Sequence, residues 1–147
     1  MISSQVAKWP NDREALLLAA VSGSPKFFLG TDSAPHDIKA KTGQNATGKT
    51  SAGVFTQPYA TSLILNAFEL AISRNIIAES DVTAEKLENF LGGHGRSFYG
   101  IKDSSNERII LRKGEEIVEN SYKGKNGIEI VPFRRGQSTW TVEWKKN

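Results

Sequence analysis

At 147 residues, with 38% apolar and 24% charged side chains, the chain has the composition of a folded globular domain rather than a collagen-like, low-complexity or disordered one. Nineteen Lys and Arg against 16 Asp and Glu leave a net charge of +3, too small a surplus to point to a nucleic-acid partner. No cysteine is present, which excludes disulfides, thiolate zinc sites and iron–sulfur ligation, and the only histidines are His36 and His94.

The first ten residues lack the basic and then apolar pattern of a signal peptide, and no apolar run approaches the length of a membrane span. The expectation is a cytoplasmic protein with no membrane partner. Asn11 and Glu14 have the spacing of a capping box, which predicts a helix over 12–22. Seven consecutive apolar residues from Ala15 to Val21 cover most of its circumference, so burial is expected, with Gly23 as the C-terminal stop. Residues 26–30, Lys-Phe-Phe-Leu-Gly, have the length and flanks of a strand buried on both faces of a parallel sheet. Helix, tight turn and buried strand form an α/β signature.

Residues 37–49 are polar and read as a long loop. A second helix is expected over 59–74, where Ile64, Ala67, Phe68, Ala71 and Ile72 share a face and Pro58 suits the first turn. A third is expected over 83–91, ended by Gly92-Gly93-His94-Gly95, with His94 in a structural role at the helix terminus. Beyond residue 101 the pattern changes to short β-prone runs at 108–112, 115–118, 127–131 and 138–144, read as hairpins.

Gly43-Gln44-Asn45-Ala46-Thr47-Gly48-Lys49-Thr50 matches the Walker A pattern, so a phosphate- or nucleotide-binding module using residues 43–50 is one alternative function. A working P-loop follows directly on a buried strand, whereas the strand expected here ends thirteen residues earlier, at Gly30. Asn45-Ala46-Thr47 is a glycosylation sequon without a secretion signal, and the Arg134-Arg135 and Lys145-Lys146 pairs read as solvated charge.

The polar block after residue 30, Thr31-Asp32-Ser33-Ala34-Pro35-His36, lies where α/β barrels build their active sites, at the C-terminal end of a strand. A carboxylate at the end of a buried strand costs solvation free energy unless a metal, a cation or hydrogen bonds compensate it. Asp32 is therefore either such a functional group or a turn cap using the Ser33 and Ala34 amides. His36 is open to three readings: substrate ligand, metal ligand or plain loop histidine.

Taken together, Phe27-Phe28-Leu29-Gly30-Thr31-Asp32-Ser33-Ala34-Pro35-His36 and Ser51-Ala52-Gly53-Val54-Phe55 resemble the last barrel strand and following loop of dihydroorotase, of the single-function type in the amidohydrolase superfamily. The likeness extends upstream through Val6-Ala7-Lys8 and Pro10-Asn11-Asp12-Arg13, and downstream through Ser97-Phe98-Tyr99-Gly100 and Val131-Pro132-Phe133. It implies a TIM (β/α)8 barrel with a binuclear zinc centre. The activity implied is interconversion of L-dihydroorotate and N-carbamoyl-L-aspartate in pyrimidine biosynthesis. By the same resemblance, Asp32 would ligate one zinc and shuttle a proton, His36 would bind the substrate carboxylate, and the backbone of Ala52 would hydrogen-bond the pyrimidine ring.

The family's paired histidines on the first strand, its bridging lysine and its further zinc-binding histidines have no counterpart in this sequence. A complete barrel also takes about 200 residues at least. The expectation is thus a C-terminal portion of such an enzyme: residues 1–100 as barrel part, with the last strand and helices, and 101–147 as a β extension of short hairpins. It would supply at most one zinc ligand, be inactive alone and need the N-terminal barrel part as its partner. A homodimer is compatible with this reading. A non-catalytic remnant with a scaffolding role is the remaining alternative. An incomplete barrel also leaves uncovered apolar faces, which predicts self-association.

Overall fold

A computed structural model describes residues 9–102 and 106–146. The Val6-Ala7-Lys8 limb of the resemblance lies outside the described residues. The architecture is mixed helix and sheet. In chain order it has α1 (Pro10–Val21), α2 (Ile38–Thr42), α3 (Ala60–Ser73), α4 (Ala84–Glu88) and α5 (His94–Phe98), followed by β1 (Glu107–Ile117), β2 (Tyr122–Lys123), β3 (Glu129–Ile130) and β4 (Ser138–Lys146).

The core gathers Val21 of α1, Phe68 and Ala71 of α3, and Ile77, with Leu17, Ile64, Ile72, Val82 and Leu87 packed around them. α3 is where the apolar spacing placed it, with Leu65, Phe68 and Ala71 buried. A single 3-10 turn, Gln57–Tyr59, containing Pro58, leads into it. The helix ends in a Schellman motif: Asn75 takes a left-handed φ of 56°, its amide donates to Ile72, and the Ile76 amide donates to Ala71.

α1 departs from expectation in its cap and in its burial. Pro10 occupies its first turn and Trp9 is the cap residue, without a side-chain bond, so Asn11 falls inside the helix instead of capping it. A proline's fixed φ and missing N–H suit that first position. Nor is α1 largely buried: it packs through one face only, leaving Leu16 and Leu18 more than half exposed. Gly23, with φ 73°, follows the helix end as anticipated.

Residues 26–30 form no strand. A strand needs a hydrogen-bonded neighbour, and none lies alongside among the described residues; instead the Leu29 amide donates to the Phe90 carbonyl at 2.9 Å. Phe28 packs against Phe98 and Tyr99, with ring centroids 5.4 and 6.1 Å apart. The glycines at 92–95 do not stop the helical path, which runs from α4 through a π turn (Asn89–Gly93) into α5. They are close-approach positions: a Cβ at Gly93 would meet Asn89 at 2.6 Å, and one at Gly95 would meet Phe28 at 3.3 Å. His94 accordingly lies within the helical run and not past its end. Its Nδ1 lies 3.2 Å from the Phe27 carbonyl oxygen, a structural contact.

The C-terminal region holds one short hairpin, β2 with β3, enclosed by a long-range pair, β1 with β4, rather than a run of successive hairpins. β1 runs antiparallel to β4, from Glu107 opposite Lys146 to Ile117 opposite Ser138, while β2 pairs with β3. The ribbon is fixed to α3 by Trp140 Nε1 donating to Glu69 at 3.1 Å, by the Lys113–Glu69 ion pair and by Asn66 donating to the Ser138 carbonyl. Burial pushes the Glu69 carboxyl up, but the bonds from Lys113 and Trp140 outweigh it and hold the group below its ordinary value. Between α3, α4 and the ribbon lies an open groove of about 1560 Å³, lined by Leu65, Phe68, Leu87, Leu111 and Val142 among others.

Candidate functional site

Two irregular segments, 31–37 and 51–57, lie side by side and bring Asp32, His36 and Ala52 into one loop cluster. Hydrogen bonds join 31–34 to 54–57, and Gly53 packs against Ala34 and His36. The Ala34 amide donates to the Val54 carbonyl at 2.9 Å. The Ser33 hydroxyl accepts from the amides of Thr56 and Gln57, and the Thr56 hydroxyl donates to the Thr31 carbonyl at 3.0 Å. Thr31 completes the seam by donating to the Gln57 side chain. Gly53 is the tightest point. It is buried with φ 113°, and a Cβ there would stand 2.7 Å from Ala34 Cβ and 3.4 Å from the His36 ring.

Asp32 is exposed and adopts φ 44°, in the left-handed region that Asp tolerates better than most residues. The solvation cost expected at Asp32 is therefore corrected: no buried strand precedes it and its carboxylate faces solvent. The capping alternative loses one of its amides, because the Ala34 N–H is committed to Val54. His36 and Ala52 are exposed as well.

The stretch 37–49, read as loop, begins with the short helix α2. Asp37 caps it, its carboxylate accepting from the Lys39 amide at 2.8 Å and, from the distant β3, from the Glu129 amide at 3.1 Å. Those two backbone bonds, Lys39 first, hold the Asp37 carboxyl below its ordinary value. Lys41, also on α2, projects its ammonium between two carbonyls of the neighbouring loop, 2.8 Å from Ser51 and 2.6 Å from Gly53. Sequence reasoning missed Lys41, since one lysine among polar residues carries no periodic signal. Asp37 had one: an Asp directly before an apolar residue is a standard helix-start mark.

Residues 43–50 do not have P-loop geometry. They follow α2 rather than a strand, and no helix starts at Lys49 or Thr50. The loop also consumes its own donors: the Thr47 amide goes to the Asn45 side chain and the Gly48 amide to the Asn45 carbonyl. A phosphate cradle needs such amides free.

Among the described residues, no group of three or more His, Cys, Asp or Glu side chains gathers. A zinc site takes three or four protein donors, so these residues do not by themselves fit the binuclear centre that the resemblance implies. No helix among them is long and apolar enough to cross a membrane.

No family profile matches the chain. Among curated proteins, dihydroorotase of Saccharomyces cerevisiae is 38% identical over 144 residues, which is 95% of this chain and 36% of that protein. Dihydroorotase of Halorhodospira halophila is 42% identical over 134 residues, 90% of this chain and 34% of that protein. The crystal structure of the Saccharomyces cerevisiae dihydroorotase in complex with 5-fluoroorotic acid superposes with a TM-score of 0.78 at 38% identity, covering 99% of this chain and 38% of that one. Dihydroorotase of Campylobacter jejuni gives a TM-score of 0.67 at 26% identity, over 97% of this chain and 37% of that one. The chain spans about a third of the length of the curated relatives it matches. The resemblance to dihydroorotase carried by residues 27–36 and 51–55 thus holds along nearly the whole chain, in sequence and in structure, and fits a C-terminal portion of such an enzyme.

Proposed function

We propose that this chain serves as the C-terminal part of a zinc-dependent dihydroorotase, a cyclic amidohydrolase that opens the ring amide of L-dihydroorotate with water to give N-carbamoyl-L-aspartate, and closes it in reverse. The observation that carries the reading is the seam between 31–37 and 51–57, which gathers a carboxylate, an imidazole and an unencumbered peptide group in one loop cluster. In the proposed roles, Asp32 carries the proton that must reach the ring nitrogen when the C–N bond breaks. The His36 imidazole donates to the substrate carboxylate. The Ala52 amide and carbonyl pair with the complementary donor and acceptor of the pyrimidine ring, and its methyl side chain permits close approach.

The solved relative bound to 5-fluoroorotic acid supports a pyrimidine carboxylate as the ligand class. Zinc would supply an activated water to the reaction, with Asp32 as this chain's one donor. The remaining donors belong to polypeptide corresponding to the two thirds of the relatives that this chain does not match. That polypeptide is the partner this reading requires, so the chain alone is expected to be inactive. Residues 1–100 would carry the barrel loops and 101–147 an extension that braces them.

The test is a chimera in which this chain replaces the matching stretch of the Saccharomyces cerevisiae dihydroorotase. Turnover of dihydroorotate is expected, with Asp32→Asn lowering kcat by about 10²- to 10⁴-fold and His36→Ala acting chiefly on KM. Undiminished turnover by Asp32→Asn in a folded chimera would overturn the assignment.

A further inference from the structure

We propose that Lys41 is a positioning residue for ring recognition, holding the backbone of Ala52 in the conformation that reads the substrate; this rests on the function proposed above. Residues 51–54 belong to no helix or strand, so their conformation must be fixed by other contacts. Three converge from α2. The Ser51 amide donates to the Ala40 carbonyl at 2.9 Å, and the Lys41 ammonium donates to the carbonyls of both Ser51 and Gly53.

One charged group thus holds the carbonyls on either side of Ala52, and the chain between them curls around it. Bonds from an ammonium to carbonyls are stronger than neutral ones, the more so here because the contacts are partly buried. The left-handed φ of Gly53 belongs to the same curl, and the burial of Gly53 against Ala34 presses it onto the Asp32–His36 segment. Among the described residues, no hydrogen bond engages the amide or carbonyl of Ala52 itself. Its neighbours are tied down, and its own donor and acceptor stay open for a ligand that presents the reverse pair. Lys41 acts through Ala52 and touches no reacting atom.

The experiment uses the chimera described above, comparing wild type, Lys41→Met and Lys41→Arg. Met keeps the length of the side chain and removes its donors. The expected result is a KM for dihydroorotate raised roughly tenfold with kcat within about twofold, because ring binding is lost while the proton-transfer group is untouched. Lys41→Arg should recover most of the KM. Amide hydrogen exchange in the isolated chain should quicken at Ser51, whose amide is bonded to the Ala40 carbonyl, in Lys41→Met and stay unchanged in α3. An unaltered KM in folded Lys41→Met overturns the inference, as does an equal loss in kcat alone. Should Lys41→Met not fold, Lys41→Leu, which likewise lacks donors, takes its place with the same two readouts. A wild-type chimera without turnover removes the functional reading and this inference with it, whereas an active chimera indifferent to Lys41 removes only the inference.

Discussion

Gly53 shows how much of the site depends on one missing side chain. An alanine there would place a methyl 2.8 Å from the Ala34 carbonyl oxygen while keeping a φ of 113° that L-residues avoid. Gly53→Ala is expected to destabilise the chain by about 2 kcal/mol, a penalty combining overpacking with backbone strain. A lowered melting temperature, accompanied by faster exchange of the Ala34 amide, would show it; an unchanged melting curve would mean that the seam is looser than its distances imply. That Asp32, His36 and Ala52 share a loop cluster was legible through the resemblance carried by residues 27–36 and 51–55, not from the local pattern of the second block, which is mostly small and apolar. The environment of Asp32 was not, since a buried strand was expected where Phe27 is 45% exposed. Lys41 stayed invisible because its meaning lies in where α2 aims it, and α2 itself is only five residues long.

Elements meet through a small number of polar contacts, of which the Tyr59 hydroxyl is the clearest. Buried at the entrance to α3, it accepts from the Glu119 amide at 3.1 Å and stands 3.1 Å from the Tyr122 hydroxyl, so it links the helix to the turn after β1 and to β2. That hydrogen bond, with partial burial second, pushes the Tyr122 hydroxyl up to about 12. A phenol whose folded value exceeds its unfolded one adds stability that is complete below about 10 and is lost as pH climbs through the folded value. Tyr59→Phe should therefore return Tyr122 toward the ordinary tyrosine range in an ultraviolet titration and cost about 1–2 kcal/mol for the stranded Glu119 amide. An unshifted Tyr122 titration would refute the link. α3 could be read directly because its apolar spacing is local. The partnership of β1 with β4 could not, since nothing within either strand specifies a partner some thirty residues away; nor could the helical passage through Gly92–Gly95, which close packing decides over propensity.

Among the described residues, several large apolar side chains lie exposed. Trp9 is 79% exposed, Trp144 71% and Phe98 70%, and the groove beside α3 opens to solvent. Such faces drive association, so sedimentation of the isolated chain should show mass rising with concentration; a monodisperse monomer with a sharp thermal transition would contradict this. The resemblance to dihydroorotase, in a chain too short for a whole barrel, made a C-terminal portion legible, whereas the role of the C-terminal region was not. Read as an appendage, it reaches back to the loops: the Glu129 amide bonds Asp37, Asp37 bridges Ile130, and Phe133 donates to Phe55 in a parallel bridge beside the buried Pro132. Trimming the chain after residue 128 would thus strip the scaffolding from both halves of the seam at once, and a frameshift late in the coding sequence would be felt at Asp32 and His36 although neither codon had changed.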